Sequence, residues 1–274
     1  MLPILRHPDS RTRLPICVHL RSSAAIFLVL LATSTFAQDK KEEKKDPPRI
    51  VMAVPLAVSP GEKVKLTLRG ISLDDATMVR IGEGEKKIEL EVKNKGKVGV
   101  PDKYDAKAVG DTRIEIEFTL PAETPVGTVP IVATTPAGES KVYDLHVIAA
   151  ADLVDEKGPN DGFKSSQPIE LSKTVRGHIR SNNEVDVFQF TGKAGQKIIC
   201  EVMASRLGSA VDPLLTLYDA GGNFVAMQDD ADKSRDAILS ATLAADGVYF
   251  LVMQDALDRG EATHPYLLRV SAKE

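Results

Sequence analysis

A two-residue alternation of apolar and polar side chains is the feature that most restricts the fold of this chain. From Ile50 onward the alternation recurs in three clear runs, whose apolar members are Val64, Leu66 and Leu68, then Ile88, Leu90 and Val92, then Ile114, Ile116, Phe118 and Leu120. Successive side chains of a strand point to opposite faces, so each run predicts a strand with one face in a core and one in water. With the shorter apolar segments between Gly, Pro and Asn turns, the pattern predicts about seven strands over residues 50–148, which is sandwich spacing.

A second series of short strands follows a polar connection at residues 149–159. Strands are expected near residues 185–190, 196–204, 214–218 and 247–254, and Asp219-Ala220-Gly221-Gly222 reads as a hairpin turn in which glycine supplies positive φ. Eight or nine strands in about 115 residues suit a two-sheet jelly roll over residues 160–274. The sequence therefore predicts an all-β protein of two tandem β-sandwiches.

The first 37 residues have the order of a secretory signal peptide. Four arginines precede an uncharged run from Ala24 to Ala32, and Thr35-Phe36-Ala37 offers small residues for cleavage. An uncleaved membrane anchor is the alternative. Residues 38–49 are charged and end at Pro47-Pro48, which predicts a flexible linker. We expect a secreted, periplasmic or cell-surface protein with no membrane span after signal cleavage.

The net charge and the cysteine count argue against nucleic-acid binding and against an intramolecular disulfide. The formal net charge is −4 and becomes more negative without the arginine-rich leader, so nucleic acid is a poor partner. Cys200 is the one cysteine beyond the leader, so an intramolecular disulfide is not expected. It lies in the alternating run Ile198, Cys200, Val202, where a buried structural thiol is favoured over a reactive one.

Motifs in the second half resemble the bacterial pre-peptidase C-terminal domain, a jelly-roll module appended to secreted proteins. The resemblance covers residues 156–272 and depends on Gly158-Pro159-Asn160-Asp161, Asp186-Val187-Phe188-Gln189-Phe190, Gly195-Gln196, the run Asp212–Asp219 and the run Asp246–Val252. Turn motifs such as Ser59-Pro60-Gly61-Glu62 and Thr135-Pro136-Ala137-Gly138 make residues 50–148 resemble an immunoglobulin-like domain of the IPT/TIG type. The two resemblances imply an immunoglobulin-like domain followed by a jelly roll.

The first of these resemblances also suggests a calcium site. Some members of the family hold calcium between a Glu-x-Glu-x-Asn-Asp segment and two aspartates before the Asp-x-Phe-x-Phe strand. The matching positions predict metal ligands at Glu156, Asn160, Asp161, Asn183 and Asp186, with Gly158 in place of the second glutamate and Asn183 in place of an aspartate. Calcium affinity falls as ligand charge is removed, so the alternative is that these residues cap turns and strand ends. No cofactor is required, and Ca²⁺ is the one ion that the resemblance suggests.

The sequence argues against catalysis. The histidines beyond the leader are His146, His178 and His264, and none has a local partner at catalytic spacing; the Gly-x-Ser-x-Gly and His-Glu-x-x-His motifs are absent from the sequence. Carbohydrate binding usually uses exposed aromatic rings, but most tyrosines fall in strand patterns that favour core packing. Tyr104 in the long loop at residues 93–111 and Arg206 in a Gly/Pro turn are the predicted ligand-binding residues.

These observations favour an exported, non-catalytic accessory or adhesion module that binds an extracellular or envelope protein or a polysaccharide, with calcium as an optional stabiliser. A structural spacer or assembly subunit of the cell envelope is the alternative. A secreted hydrolase whose residues are brought together only by the fold is a third hypothesis.

Overall fold

The computed structural model describes residues 47–231 and 234–273, and the regular secondary structure of this part of the chain is nearly all β-strand. The predicted signal peptide, residues 1–37, and most of the predicted charged linker, residues 38–49, lie outside the described residues. None of the described helices is long and apolar enough to cross a membrane.

The first group of strands forms two facing sheets. Its strands are β1 (Arg49–Val54), β2 (Ala57–Val58), β3 (Lys63–Ile71), β4 (Met78–Ile81), β5 (Ile88–Glu91), β6 (Asn94–Lys97), β7 (Thr112–Thr119), β8 (Gly127–Thr135), β9 (Gly138–Glu139) and β10 (Tyr143–Val147). One sheet has the order β1-β3-β7-β6, and the other has the order β2-β10-β8-β4-β5 with β9 paired to β8. We call this pair of sheets the first sandwich.

The alternation predicted from the sequence sets the core of the first sandwich. β3 and β7 pair antiparallel with Leu66 opposite Ile116 and Leu68 opposite Ile114, so both strands turn their apolar side chains to the same face. These residues are buried in one cluster with apolar side chains of the second sheet, including Val79, Ile131 and Leu145. Burial of matched apolar positions fixes the register, because a one-residue slip would expose them all.

The region predicted as one long loop, residues 93–111, contains regular structure. It holds strand β6 and a single helical turn, α1 (Ala106–Val109), whose first turn is capped by Asp105 accepting from Lys107 N at 2.9 Å. Arg69 donates from Nε to the carbonyl oxygen of Val109 at 2.7 Å, which ties α1 to the sheet. The weak alternation of this Lys-rich segment hid the strand from the sequence analysis.

The second group of strands also forms two facing sheets, which we call the second sandwich. Its strands are β11 (Leu153–Asp155), β12 (Gln167–Pro168), β13 (Thr174–His178), β14 (Val185–Gly192), β15 (Lys197–Met203), β16 (Pro213–Tyr218), β17 (Phe224–Gln228), β18 (Ile238–Thr242), β19 (Gly247–Asp255) and β20 (Pro265–Ala272). The sheet orders are β11-β13-β20-β15-β18 and β12-β14-β19-β16-β17. The predicted Asp219–Gly222 turn joins β16 to β17, with Gly222 at φ +78°.

A large apolar cluster fills the second sandwich. Phe188, Leu251 and Tyr266 are fully buried in it, and Cys200 is buried beside them, as predicted for a structural thiol. Burial raises the pKa of the Cys200 thiol to about 12. Gly177 is required here, because a Cβ at this position would clash with the ring of Tyr266.

A third apolar cluster joins the two sandwiches. Met52, Leu56 and Ala57 of the first sandwich pack with Leu267 of the second, and all four are buried. Arg176 of β13 crosses the same boundary: Nη2 lies 2.9 Å from Glu62 and Nε lies 2.7 Å from Asp155. The two sandwiches are therefore in direct contact through apolar packing and through the ion pair between Arg176 and Glu62.

Candidate functional site

Glu156, the first predicted metal ligand, follows β11 and turns its carboxylate inward. Its side chain is 1% exposed. Arg180 Nη1 donates to Oε2 at 2.8 Å and to Oε1 at 3.0 Å, and the backbone N–H of His178 donates to Oε2 at 3.2 Å. A buried carboxylate needs this compensation, since removing an unpaired charge from water is costly.

Asp186, the second residue of β14, lies in the interior of the same region. Its Oδ2 accepts a 2.6 Å hydrogen bond from the Tyr266 hydroxyl, whereas its Oδ1 has no hydrogen-bond partner among the described residues. Burial, with a smaller contribution from the negative charges of Glu156 and Glu184, raises the pKa of Asp186 to about 7. Asp186 is linked to the Glu156 region through Tyr266, whose ring lies against Gly177, the residue before His178.

Asn160 joins this group, and two other predicted ligands do not. Its backbone carbonyl oxygen accepts from Val187 N at 2.6 Å. The side chains of Asn160 and Glu156 both lie beside Gly158, since a Cβ built on Gly158 would be 3.9 Å from Asn160 Oδ1 and 3.9 Å from Glu156 Oε1. The amide Nδ2 of Asn160 has no partner among the described residues. Asp161 is exposed and accepts from Ser165 Oγ at 3.1 Å, while Asn183 is exposed at φ +63°.

The structure adds two residues to this cluster, Arg180 and Glu184. Glu184 Oε2 accepts from the backbone N–H groups of Arg180 at 2.8 Å and Ser181 at 2.7 Å, and its Oε1 lies 3.8 Å from Arg180 Nη1. Sequence reasoning missed both residues, although Ser181-Asn182-Asn183-Glu184 has the Ser-x-x-Glu spacing of a capping box, which was a usable signal. We call Glu156, Asn160, Arg180, Glu184 and Asp186 the carboxylate cluster.

The carboxylate cluster, as arranged, does not fit a bound calcium ion. Calcium takes six to eight oxygen ligands at 2.3–2.6 Å, but here a guanidinium nitrogen contacts both oxygens of Glu156. Over residues 47–231 and 234–273, no group of three or more His, Cys, Asp and Glu side chains is disposed to hold a metal ion. The calcium site stays a prediction from the sequence.

Tyr104, a predicted ligand-binding residue, lies against the second sandwich. Its hydroxyl is 3.3 Å from both the Ala210 carbonyl oxygen and His264 Nε2, and the Arg259 guanidinium lies 5.2 Å from its ring centroid. The ring is half-buried and forms one wall of a cavity of about 340 Å³. These contacts give Tyr104 a structural role between the sandwiches, and its ligand-binding role stays a prediction.

Arg206, the other predicted ligand-binding residue, is held by two carboxylates of its own sandwich. It pairs with Glu201, and its Nε lies 3.5 Å from Asp236, whose side chain is buried. Asp236 also accepts from the backbone N–H groups of Ala204 at 3.1 Å and Ser205 at 2.6 Å. Arg206 is partly exposed, and its binding role likewise stays a prediction.

A surface that the sequence analysis missed lies on the outer face of the β12-β14-β19-β16-β17 sheet. Phe250 of β19 points outward, because Tyr249 and Leu251 on either side of it are buried. Phe163 stacks on Phe250 with a ring-centroid separation of 4.6 Å and an interplanar angle of 11°. The same Phe163 ring lies 5.2 Å from the ring of Tyr218, so Tyr218 faces outward and not into the core.

Two strongly exposed residues of β17 extend this surface. Phe224 is 63% exposed and lies opposite Tyr218, while Met227 is 58% exposed and lies opposite Thr216. We call Phe163, Tyr218, Phe224, Met227 and Phe250 the aromatic surface. The outward positions of β19, Phe250 and Val252, could have been identified from the alternation, but the position of Phe163 above them depends on the folded loop.

The loop that carries Phe163 is held against the sheet by hydrogen bonds. Ser166 Oγ is 2.9 Å from the Phe163 carbonyl oxygen and 3.1 Å from Gln189 Oε1, and Gln189 lies opposite Phe250 in the sheet. Asn160 at the start of the loop accepts from Val187 N. These hydrogen bonds hold the loop of Phe163 on the sheet.

These features define the protein as an all-β protein of packed β-sandwiches. Comparison with known proteins found that no family model matches the chain. It is 41% identical over 110 residues to a probable subtilase-type serine protease of Deinococcus radiodurans; the match covers 38% of this chain and 15% of that protein. The chain therefore spans about a seventh of the length of this relative.

Solved structures are similar at low identity. The pre-peptidase C-terminal domain of a collagenase from Bacillus anthracis matches with a TM-score of 0.32 and 18% identity, over 39% of this chain and 94% of that one. A Bacteroides ovatus glucan-utilisation protein, SGBP-B, in complex with a mixed-linkage heptasaccharide matches with a TM-score of 0.26 and 12% identity, over 82% of this chain and 74% of that one. One of these structures is a pre-peptidase C-terminal domain, the family that residues 156–272 resemble. The IPT/TIG-type resemblance of residues 50–148 stays a prediction.

Proposed function

We propose that this chain is a non-catalytic accessory module that works outside the cytoplasm and holds a protein partner through the aromatic surface. The observation that carries the proposal is the solvent-exposed row of rings formed by Phe163, Tyr218 and Phe224 over Phe250. Large apolar side chains on a fixed sheet face cost free energy in water, and contiguous exposed apolar patches mark interaction sites.

The composition of the aromatic surface favours a protein over a polysaccharide. Aromatic residues and Met are enriched at the cores of protein interfaces, and Met adapts its shape to a partner. Exposed rings also suit sugar faces, so the preference for a protein rests on Met227, an exposed residue of a type enriched at protein interfaces. Neutral amides such as Gln189 and Gln254, on the neighbouring positions of the sheet, can supply the polar rim.

The arrangement of His264 supports a non-catalytic role. His264 is buried, its Nδ1 is 3.2 Å from Thr263 Oγ1, and its Nε2 is 4.0 Å from Asp255 Oδ2. Burial lowers the pKa of His264 to about 4, so the ring is neutral at pH 7. Thr263 is only 1% exposed, so a substrate has no access to this hydroxyl in the folded protein.

The binding hypothesis is tested with a double variant at two exposed positions, Phe224→Ser with Met227→Ser. The matched control, Val126→Ser with Val142→Ser, changes apolar residues of the first sandwich that are 65% and 56% exposed. Wild type, variant and control are immobilised and exposed to secreted and envelope fractions, and each captured protein is then purified and titrated by calorimetry. We expect wild type and control to bind one purified protein equally, and the variant to bind it at least about tenfold more weakly.

Three other outcomes would contradict this proposal. Binding that survives exhaustive proteolysis of the fraction, or binding to purified insoluble polysaccharides, would identify a carbohydrate ligand. Self-association in sedimentation velocity that the variant abolishes would identify a second copy as the partner. Hydrolysis of protein, ester or glycoside substrates by the purified chain would support the hydrolase alternative.

A structural spacer remains the second candidate because of the contact between the sandwiches. A stiff connector is favoured by the buried cluster of Met52, Leu56, Ala57 and Leu267 and by the ion pair of Arg176 with Glu62. A spacer needs no exposed partner surface, so the Phe224→Ser, Met227→Ser variant would retain every interaction of the wild type. Equal binding by variant and wild type would therefore favour the spacer.

A further inference from the structure

Arg180 places one nitrogen among oxygens in the manner of a bound cation. Its Nη1 lies 2.8 Å and 3.0 Å from the two oxygens of Glu156, 3.1 Å from the His178 carbonyl oxygen and 3.8 Å from Glu184 Oε1. A bidentate carboxylate, a backbone carbonyl and a second carboxylate are oxygen donors that a hard divalent cation takes. Here their partner is a side chain of the same polypeptide.

Asp186 supplies an independent observation at the same place. It is 1% exposed, and its Oδ1 is without a hydrogen-bond partner among the described residues. Its Oδ2 accepts from Tyr266, and the Tyr266 ring lies against Gly177, the residue before His178. A buried carboxylate oxygen without a partner is costly, and a nearby positive charge lowers that cost.

We infer that Arg180 is a built-in counter-cation that replaces a metal ion in the carboxylate cluster, so that the fold around Glu156 needs no calcium. The guanidinium carries one positive charge, so it neutralises Glu156 and leaves less attraction for a divalent ion. The Arg180 side chain is 57% exposed, so the oxygens it covers would be reached from solvent if it were removed. The inference is independent of the partner that the aromatic surface binds.

Substituting Arg180 should convert the cluster into a calcium site. Without the guanidinium, the oxygens that now surround Arg180 Nη1 are freed: both oxygens of Glu156, the His178 carbonyl oxygen and Glu184 Oε1. Water can complete the coordination. Three variants test this. Arg180→Ala removes the guanidinium and leaves its position in the carboxylate cluster empty, Arg180→Gln keeps much of the side-chain volume without the charge, and Arg180→Lys keeps a positive charge. The probe is calcium chloride alone, compared with EDTA.

Thermal unfolding of the full chain is the first measurement. The melting temperature of the wild type should be the same in calcium as in EDTA. The melting temperature of Arg180→Lys should likewise not depend on calcium. Arg180→Ala and Arg180→Gln should melt lower in EDTA and recover in calcium; at a calcium concentration one hundred times Kd, mass action raises the melting temperature by about 5–10 °C for a chain of this size. Titration calorimetry should detect one calcium ion on these two variants and none on the wild type.

Arg206→Ala is the matched control. Arg206 also pairs with two carboxylates, Glu201 and Asp236, but Asp236 already accepts hydrogen bonds from backbone N–H groups. This variant should lose stability without gaining a response to calcium.

Calcium binding to the wild type with a comparable rise in melting temperature would overturn the inference. It would also be overturned if neither Arg180→Ala nor Arg180→Gln responded to calcium, including the case in which both stayed unfolded in calcium and in EDTA. An Arg180→Ala variant that is unfolded in EDTA and folded in calcium would support it.

Discussion

The two sandwiches differ in what their outer sheet faces carry. On the first sandwich, the outward positions of β3 and β7 are charged and paired across the strands, with Lys63 Nζ 3.4 Å from Glu117 and Lys65 Nζ 3.2 Å from Glu115. On the second, the outward positions of β16, β17 and β19 carry the aromatic surface. Both faces follow the same alternation, so strand geometry does not require the difference. Under the proposed function, the second sandwich is the one that binds the partner.

The largest expected effect concerns whether the two sandwiches unfold together. Leu66→Ala in the first core and Leu251→Ala in the second each remove a fully buried side chain, and each should lower the free energy of unfolding by about 2–5 kcal/mol. Because the sandwiches share an apolar cluster, we expect both variants to shift one common transition in scanning calorimetry. Two transitions, each moved by only one variant, would mean that the sandwiches unfold separately.

A pair of glycine substitutions tests the contact between the sandwiches. Gly208 and Gly195 have φ values of +86° and +77°, so alanine is strained at either position. At Gly195 an added Cβ meets nothing within 4 Å, whereas at Gly208 it clashes with the Val51 carbonyl oxygen of the other sandwich. We expect Gly195→Ala to cost about 1 kcal/mol and Gly208→Ala about 1–3 kcal/mol more in urea unfolding. Equal costs would show that the backbone at Gly208 adjusts without loss.

Two buried groups of the second sandwich, His264 and Asp186, should make the free energy of unfolding depend on pH. Burial lowers the pKa of His264 to about 4, below its value of about 6.5 in an unfolded chain. The unfolded state then binds more protons between these values, so the contribution of His264 is present above pH 6.5 and is lost as pH falls towards 4. The pKa of Asp186, raised to about 7, acts with the opposite sign, because its contribution is lost as pH rises through 7.

Substituting His264 separates these two effects. Relative to wild type, the free energy of unfolding of His264→Gln should be about 1–3 kcal/mol less sensitive to acidification from pH 7 to pH 4, because the opposing contribution of Asp186 is common to both proteins. Urea unfolding of wild type and variant at a series of pH values measures the difference. An unchanged slope between pH 6.5 and pH 4 in the variant would contradict the role of His264.

The smallest effects are expected on the outer faces themselves. Lys65→Ala removes an exposed ion pair and Met227→Ala removes an exposed apolar side chain, and each should change stability by less than about 0.5 kcal/mol. Chemical unfolding of both variants checks this. A larger loss from Met227→Ala would mean that the aromatic surface serves folding and not a partner.

Much of the fold could be predicted from the sequence, because the alternation acts through local geometry. It located the strands around Leu66, Ile116 and Leu251 and the buried thiol of Cys200. It failed for β6 and α1, where Lys and Gly residues obscure the pattern and contacts such as that of Arg69 with Val109 supply the order. For Tyr218, strand membership was predicted correctly and the direction of the side chain was not.

The candidate sites were predicted less completely. Glu156, Asn160 and Asp186 were selected by resemblance and lie together, whereas Asp161 and Asn183 are exposed. Arg180 was absent from the predicted set because its role depends on a distance to Glu156, 24 positions earlier in the chain. The position of Phe163 over Phe250 depends in the same way on contacts between segments that are distant in sequence.

The sequence by itself determined that this chain builds β-strands with one buried and one exposed face, because a two-residue period matches the pleat of a strand and no other regular structure. Only the tertiary structure decided which exposed face presents aromatic rings and which charge neutralises Glu156. Both depend on side chains from separate strands and loops meeting in space, and such meetings are set by the packing of the two sheets.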